Sequence, residues 1–316
     1  VEAKGVPELT RLYVKFHEEA EQHPELEDEG RRWFKAIEDG NAEALELFNW
    51  FKELTLRDAK PVYDLLGVQF DSYNGESFYV DKTDRVVEEL RKKNLLTISD
   101  GASVVDLDEE KSGMPPCLIL KKDGTTIYAT RDIAAALYRK ETYDFDKCLY
   151  VVAYQQDLHF RQWFKVIEKM GYPWYKDLVH VAFGMISYEG QSLSTRKGHV
   201  LFLEDVLNMA IEKARAIIEE KSPNLENKDE VARQVGVGAV VYADLQNGRI
   251  KDIDFSWDRV LSFDGETGPY VQYTHARCCS ALRKAEGLEP AAPDFSALSD
   301  DYAQELLRQL SRFPET

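Results

Sequence analysis

Residues 149–186 have the sequence LYVVAYQQDLHFRQWFKVIEKMGYPWYKDLVHVAFGMI, and this stretch decides the fold. It begins with a near-continuous apolar run over residues 149–154 and ends with another over residues 179–186. The segment between them repeats apolar side chains at the spacing of one helix face, namely Phe160, Trp163, Phe164 and Ile167. Two strands joined by a helix predict a parallel sheet covered by helices on both faces, with ligands at the carboxyl ends of the strands.

The segment before this stretch combines helical and extended patterns. Residues 8–58 interleave charged and apolar positions as two or three helices do, and residues 121–124 form the expected turn of a hairpin. Thr130 is the expected N-cap of the next helix, which places Asp132 in the first turn of that helix.

The chain after residue 186 is dominated by helical patterns, over residues 203–220, 231–245 and beyond 269. Gly236 and Gly238 lack the third glycine of a dinucleotide fingerprint, so close helix packing explains them better. We therefore predict three parts: a helical and mixed part over residues 1–125, a parallel α/β part over 126–262 and an all-α part over 263–316.

Composition and charge narrow the class of protein. The chain has 316 residues, 44% of them hydrophobic, and a net charge of −17, which argues against a dedicated nucleic-acid-binding module and limits any RNA contact to a local patch. No apolar run approaches the ~20 residues that span a bilayer, and no secretory signal pattern begins the chain, so we predict a cytosolic protein without membrane contact. The four cysteines lack CxxC spacing and are expected to be reduced thiols.

The polar loop Ser194-Thr195-Arg196-Lys197-Gly198 follows the second apolar strand. Hydroxyls that bond to oxygen and cations that supply an electric field suit the developing charge of a triphosphate. A solvated loop without function explains the same short string when it is taken alone.

A second candidate group lies at the strand ends. Tyr128 and Asp132 bracket the predicted strand-to-helix turn, and Gln156 ends the first strand of the 149–186 stretch. An ionised carboxylate near a helix start is a suitable partner for a guanidinium group, and an amide oxygen can add a hydrogen bond. The alternative is that Asp132 is a helix-start carboxylate, Gln156 a surface amide and His159 a capping or packing imidazole.

Segments spread over most of the chain resemble arginyl-tRNA synthetases, a class I aminoacyl-tRNA synthetase family. They occur in the order and with the intervening lengths of that family: Phe70-Asp71 with Gly75-Glu76-Ser77, Tyr128-Ala129-Thr130-Arg131-Asp132, Gln155-Gln156-Asp157-Leu158-His159-Phe160 and Gly268-Pro269-Tyr270-Val271-Gln272-Tyr273. The second ATP signature of class I enzymes, usually Lys-Met-Ser-Lys-Ser, corresponds here to Ser192-Leu193-Ser194-Thr195-Arg196. Both signature lysines are replaced, so Arg196 and Lys197 are the available cations.

The resemblance implies an arginine–tRNA ligase of protein synthesis, which activates L-arginine with ATP, accompanied by Mg²⁺, and transfers it to tRNA(Arg). It implies the second half of a Rossmann-type catalytic domain with a helical insertion, followed by the start of a helical anticodon-binding bundle, in a monomer. The implied catalytic residues are Ser194, Thr195, Arg196 and Lys197. The implied arginine-binding residues are Tyr128, Asp132 and Gln156. The implied ATP-binding residues are His159, Phe183, Met185, Ser194 and Lys197. The implied tRNA-binding residues are Tyr270, Tyr273, Arg277, Arg283 and Lys284. No residue is predicted to hold a metal.

The first class I signature, His-Ile-Gly-His or a close variant, has no counterpart among the six histidines of the sequence. We therefore expect a truncated piece of the enzyme that is inactive alone. Two alternatives stay open: a non-catalytic paralogue that keeps the fold for binding, and a class I synthetase for another amino acid, which the pairing of Tyr128 with Asp132 disfavours.

Overall fold

The computed structural model describes most of the chain, namely residues 1–108, 113–188, 190–192, 201–260, 262, 265–287 and 295–315. Residue contacts divide it into two compact units, Val1–Tyr270 and Val271–Thr316. No helix of the described ranges is long and apolar enough to cross a bilayer.

The first unit begins with three helices, α1 (Val6–Gln22), α2 (Glu25–Glu38) and α3 (Ala42–Leu66). The Asn41 side chain accepts a hydrogen bond from the Ala44 amide at 3.1 Å and so caps α3. The helices together bury only a few apolar side chains, namely Ala20, Ala44 and Leu54. They agree with the helical pattern of residues 8–58 and contribute little to the main core.

A short 3-10 segment, Glu76–Lys82, leads into α4 (Thr83–Lys92). An antiparallel sheet follows, in which β1 (Leu96–Ser99), β2 (Ala102–Val105) and β3 (Cys117–Leu120) are neighbours in chain order. The predicted turn after β3 is present, since the Lys121 amide donates to the Thr125 carbonyl at 2.9 Å. The predicted returning strand is reduced to one bridge between Leu120 and Thr126.

The helix after this turn, α5 (Tyr128–Tyr143), starts earlier than the sequence indicated. Thr130 is its third residue and not its N-cap, and Asp132 therefore lies in the second turn, which corrects the prediction. The Thr130 hydroxyl accepts from the Ile127 amide at 3.5 Å and donates to the Ile119 carbonyl at 2.5 Å. These bonds attach the helix start to β3 and satisfy an amide that the helix leaves without an internal partner.

The 149–186 stretch forms the predicted strand–helix–strand unit, with β4 (Cys148–Ala153), a 3-10 turn at Tyr154–Gln156, α6 (Asp157–Lys169) and β5 (Leu178–Phe183). The two strands pair in parallel from Cys148↔Leu178 to Ala153↔Phe183. The prediction of helices on both faces is wrong for β4 in the described part of the chain. Tyr150 and Val152 pack toward the core, whereas Leu149 and Val151 are 59% and 65% exposed.

The second apolar run is interrupted at Gly184–Met185, and Ile186 begins another sheet. In this sheet β6 (Ile186–Tyr188) lies between β7 (Gln191–Ser192) and β8 (Ile253–Phe255), with β6 and β8 parallel.

The remaining helices of the first unit are α7 (Leu203–Lys221), α8 (Lys228–Leu245) and the short α9 (Trp257–Val260). A Cβ atom added at Gly236 would lie 2.6 Å from the Ile211 amide nitrogen, so α8 approaches α7 closely at this glycine. The predicted packing role of Gly236 is confirmed. Gly236 and Gly238 both lie inside α8 and not in a phosphate-binding loop.

One apolar core unites α4, β2, β3, α5, α6 and β5. Its largest fully buried side chains include Leu90, Ile119, Ile133, Trp163 and Ile167, each worth about 1.5–3 kcal/mol of transfer free energy or more. Members of this core come from both sides of residue 125, where the sequence indicated a boundary. The three-part division stays a prediction.

Helix α10 (Gly268–Ala285) begins in the first unit and continues into the second. The second unit also contains a 3-10 turn at Phe295–Leu298 and α11 (Asp301–Arg312). The Asp300 carboxylate accepts from the Ala303 amide at 2.9 Å and caps α11. The described secondary structure of this unit is helical, in agreement with the sequence pattern.

The exposed face of β4 generates a prediction about association. A polypeptide of residues 1–316 presents Leu149 and Val151 side by side on a strand surface, and such apolar surface favours self-association. Replacing both with Thr should shift the weight-average mass measured by sedimentation equilibrium toward that of a monomer. Ile98→Thr is the matched control, because Ile98 is 73% exposed on a different sheet and should have little effect. A monomeric parent chain at micromolar concentration would contradict the prediction.

Candidate active site

The carboxyl ends of β4 and β5 open into a cavity of about 1020 Å³. Its walls are formed by Tyr154 and Gln155 after β4, by residues 183–187 after β5, and by residues 247–253 from the return to β8. Polar groups that follow two neighbouring parallel strands meet here, as the sequence predicted for ligands of a parallel sheet.

Asp132 and His159 are in direct contact at this edge of the sheet. The His159 Nε2 atom lies 2.6 Å from Asp132 Oδ2, and the two side chains are 27% and 38% exposed respectively. Asp132 comes from α5 and His159 from the first turn of α6. The contact therefore joins two of the predicted site segments, and sequence reasoning did not predict it.

Tyr128 and Gln156 complete the predicted arginine group. Tyr128 is the first residue of α5 and lies one turn before Asp132, while Gln156 is the residue that immediately precedes α6. Both side chains are exposed. The structure thus brings the carboxylate, the phenol and the amide to the ends of two adjacent helices, with polar atoms that solvent or a ligand can reach.

The carboxylate of Asp132 lies at the border of the apolar core. Burial raises the pKa of the neighbouring Cys117 thiol to about 12, and the charge of Asp132 adds a smaller increase. Cys117 is a buried residue of β3, so the charge of Asp132 acts on the interior next to this strand. This electrostatic contact leaves Cys117 a thiol near neutral pH and makes it an inert packing residue.

The strand end that carries the predicted ATP-binding residues Phe183 and Met185 is held by a segment that sequence reasoning missed. The Gly184 amide donates to the Arg249 carbonyl at 2.8 Å, and the Met185 amide donates to Asp252 Oδ1 at 2.7 Å. The Arg249 guanidinium donates to the Ala182 carbonyl. These bonds use the backbone polar groups of residues 182–185 and leave the side chains of Phe183 and Met185 exposed in part to the cavity.

Asp254 anchors the base of the predicted ATP loop. Its Oδ1 atom accepts from the Ser187 hydroxyl at 2.7 Å and from the Gly190 amide at 3.1 Å. The predicted catalytic residues that follow, Ser194, Thr195, Arg196 and Lys197, lie outside the described residues. The only sequence signal for the 249–254 segment was its alternation of charged and apolar residues after the Asn247-Gly248 turn.

The helix that carries Asp132 is attached to the start of the chain through Arg131. The Arg131 side chain is only 7% exposed, and its Nη1 atom lies 2.6 Å from Glu76 Oε1. The guanidinium also stacks over the Phe34 ring at 5.7 Å. Two family-like segments, 75–77 and 128–132, are therefore joined by an ion pair between a buried guanidinium and a partly exposed carboxylate, which sequence spacing could not reveal.

The predicted tRNA-binding residues lie on α10. In the second unit Tyr273 and Arg277 are exposed and form a cation–π contact of 5.8 Å, and Arg283 and Lys284 are exposed near the helix end. Tyr270 is the last residue of the first unit and is also exposed.

Among the residues whose positions are described, no group of three or more His, Cys, Asp or Glu side chains is placed to hold a metal ion.

Comparison with known proteins identifies two family regions. Residues 2–257 match the family model described as tRNA synthetases class I (R), catalytic domain, and residues 271–316 match the DALR anticodon binding domain. The first match covers most of the chain and places the site described above within a class I synthetase catalytic domain of mixed α/β fold.

Similar sequences and structures agree with these models. The chain is 61% identical over 313 residues to the arginine–tRNA ligase of Clostridioides difficile and 56% identical over 315 residues to that of Alkaliphilus metalliredigens. These matches cover 99% and 100% of this chain but 55% of each relative, so the chain spans about half the length of both proteins. Thermus thermophilus arginyl-tRNA synthetase superposes with a TM-score of 0.80 at 27% identity, covering 96% of this chain and 56% of that structure.

The close approach at Gly184 generates a stability prediction. A Cβ at this position would lie 2.3 Å from the Lys251 carbonyl oxygen, so Gly184→Ala must displace the backbone of the 249–252 segment. We expect a loss of about 1–3 kcal/mol in the free energy of unfolding, measured by urea denaturation. Gly248→Ala in the same segment is the control, because nothing lies within 4 Å of its added Cβ. Equal stability of the two variants would show that the approach can relax without cost.

Proposed function

This chain belongs to the class I arginyl-tRNA synthetase family, and we propose that it provides the arginine-binding and nucleotide-binding part of an arginine–tRNA ligase. In this proposal the full-length protein activates L-arginine with ATP to arginyl-adenylate and transfers the arginyl group to tRNA(Arg). The reaction takes place in the cytoplasm as a step of protein synthesis, and the enzyme acts as a monomer.

The observation that carries the proposal is the position of Asp132. Its carboxylate lies at the carboxyl edge of the parallel strands, partly exposed, beside Tyr128 and near Gln156. A guanidinium leaving water needs a charged acceptor of matching geometry, and a charge-assisted hydrogen bond contributes about 1.5–3 kcal/mol against about 1 kcal/mol for a neutral bond. Asp132 supplies the charge, while Tyr128 and Gln156 orient the planar group.

ATP binds in the cavity at the carboxyl ends of β4 and β5. The backbone of residues 182–185, braced by Arg249 and Asp252, lies against the adenine, and Phe183 and Met185 are the ATP-binding residues of this segment. The resemblance places His159 near ATP, whereas its side-chain contact in the structure is with Asp132. Ser194, Thr195, Arg196 and Lys197 bind the triphosphate and stabilise the charge that develops on it, with Arg196 and Lys197 replacing the signature lysines.

Magnesium enters this scheme with the nucleotide. Mg²⁺ prefers oxygen ligands and is commonly held by substrate phosphates with few protein groups. We therefore assign Mg²⁺ to the triphosphate oxygens of ATP.

The architecture of the proposed enzyme follows the family. We propose that β4 and β5 belong to the second half of a Rossmann-type sheet, that the segment before residue 126 is a helical and mixed insertion, and that residues after 262 begin the anticodon-binding bundle. The sequence contains no His-x-Gly-His spacing, so residues 1–316 alone are proposed to be inactive.

The proposal is tested at Asp132. Asp132→Asn keeps the shape of the side chain and removes the charge. The resulting fall in kcat/KM for arginine should correspond to a loss of transition-state stabilisation on the order of 2–4 kcal/mol. Citrulline, a neutral analogue of similar shape, should lose much less on the same substitution. Both constants are measured by ATP–pyrophosphate exchange in the full-length gene product.

Asp157→Asn is the matched control for this substitution. Asp157 is an exposed carboxylate at the first residue of α6, on the same edge but outside the proposed pocket, and its neutralisation should change kcat/KM little. If Asp132→Asn leaves kcat/KM for arginine within a factor of about three, an effect below about 1 kcal/mol, the arginine pocket is misplaced.

The proposed tRNA contact is tested on α10. Tyr273, Arg277 and Lys284 follow one another at helical spacing, so they share a face that phosphates can approach. Replacing Arg277 and Lys284 with Ala should weaken tRNA(Arg) binding and reduce the slope of log Kd against log salt by about 2, one for each lost phosphate contact. Arg308→Ala on α11, whose guanidinium pairs with Glu305, is the control. An unchanged slope would place the tRNA elsewhere.

A further inference from the structure

We propose that His159 is a positioning residue for arginine, which fixes the orientation of the Asp132 carboxylate toward the guanidinium. This inference rests on the proposed function. It deepens that function because it assigns His159 to arginine binding, whereas the family resemblance placed His159 near ATP. The observation that motivates it is the contact of 2.6 Å between His159 Nε2 and Asp132 Oδ2.

The chemistry of the contact defines which atom donates. An ionised carboxylate only accepts hydrogen bonds, so the His159 Nε2–H group donates to Oδ2. Each carboxylate oxygen has two lone pairs, so Oδ2 can accept a second hydrogen bond. Within the described chain Asp132 Oδ1 accepts no hydrogen bond from another side chain. One bond to His159 therefore sets the plane of the carboxylate and leaves both oxygens able to accept the fork of a guanidinium.

The imidazole is fixed by packing against the core. The His159 ring meets the buried Phe160 ring edge-on at 5.6 Å, and Phe160 stacks on His180 at 4.2 Å with an angle of 16°. The helices that carry the two partners are anchored in the same core, through Ile133 on α5 and Trp163 on α6. A partly exposed aspartate can otherwise rotate about its side-chain bonds, so the anchored donor reduces the conformational freedom that guanidinium binding would have to remove.

The hydrogen bond from His159 Nε2–H sets the direction of the Asp132 carboxylate, and the guanidinium of arginine supplies the charge that pairs with that carboxylate. Discrimination against neutral analogues of arginine then depends on both residues.

The experiment compares two variants in the full-length gene product by ATP–pyrophosphate exchange. His159→Phe keeps an aromatic ring against Phe160 and removes the donor, whereas His159→Gln keeps an amide donor close to the position of Nε2. We expect His159→Phe to lower kcat/KM for arginine at least about tenfold, to leave KM for ATP unchanged and to reduce the preference for arginine over citrulline. His159→Gln should restore kcat/KM to within about threefold of the parent. If His159→Phe does not fold, as measured by thermal melting, His159→Leu replaces it.

Two results of this comparison would overturn the inference. A rise in KM for ATP with unchanged preference for arginine over citrulline would assign His159 to the nucleotide. An increase of kcat/KM for arginine in His159→Phe would show that the imidazole competes with the substrate for Asp132.

A double-mutant cycle separates this inference from the proposed function. If His159 acts through Asp132, His159→Phe should cause no further loss in an Asp132→Asn background. Independent, multiplicative losses would overturn the inference. If Asp132→Asn alone is close to the parent, the proposed arginine pocket fails; if Asp132→Asn is severe while His159→Phe is neutral, only the role of His159 fails.

Discussion

The parallel pairing of β4 with β5 is the constraint on which the candidate site depends. Its register, from Cys148↔Leu178 to Ala153↔Phe183, makes both strands end at the same edge. Side chains alternate across a strand, so Tyr150 and Val152 enter the core and α6 packs beneath them. The residues that follow β4 must then turn at this edge, and Gln156 and His159 are brought there by the start of α6.

The same core determines where the negative charge of the site lies. Thr130 attaches the first turn of α5 to β3, and Arg131 inserts its guanidinium between Glu76 and the Phe34 ring. With its two preceding residues held in this way, Asp132 projects from the second turn toward α6. A carboxylate fixed at the border of the core is more useful for selecting a cation than one on a mobile surface loop, because its orientation is set before the ligand arrives.

The return of the chain near residue 250 completes the wall of the cavity opposite the end of β4. Asp252 and Asp254 are two positions apart and hold different segments. Asp252 accepts from the amide of Met185, and Asp254 accepts from Ser187 and Gly190 at the base of the predicted ATP loop. Gly184 permits this arrangement because a side chain there would collide with the backbone of Lys251. The end of β5 and the base of the predicted ATP loop are therefore positioned by the same short segment.

The sequence by itself determined the local elements and the family. Apolar periodicity identified the strand–helix–strand unit of residues 149–186 and the helical character of the C-terminal region, since these patterns report which face of an element is buried. The family-like segments of the sequence identified Tyr128, Asp132 and Gln156 as candidate arginine-binding residues. The helix start at Tyr128 was missed because the bond from Thr130 to β3, and not local propensity, decides it.

Only the tertiary structure decided the pairings between distant residues. His159 meets Asp132 across 27 positions, Arg131 meets Glu76 across 55, and Met185 meets Asp252 across 67. It also decided that Leu149 and Val151 are exposed although their strand is apolar throughout. Periodicity specifies the face of an element on which a side chain lies. Which other element packs against that face depends on how all the elements pack around a shared core, and the spacing of residues along the chain does not predict that arrangement.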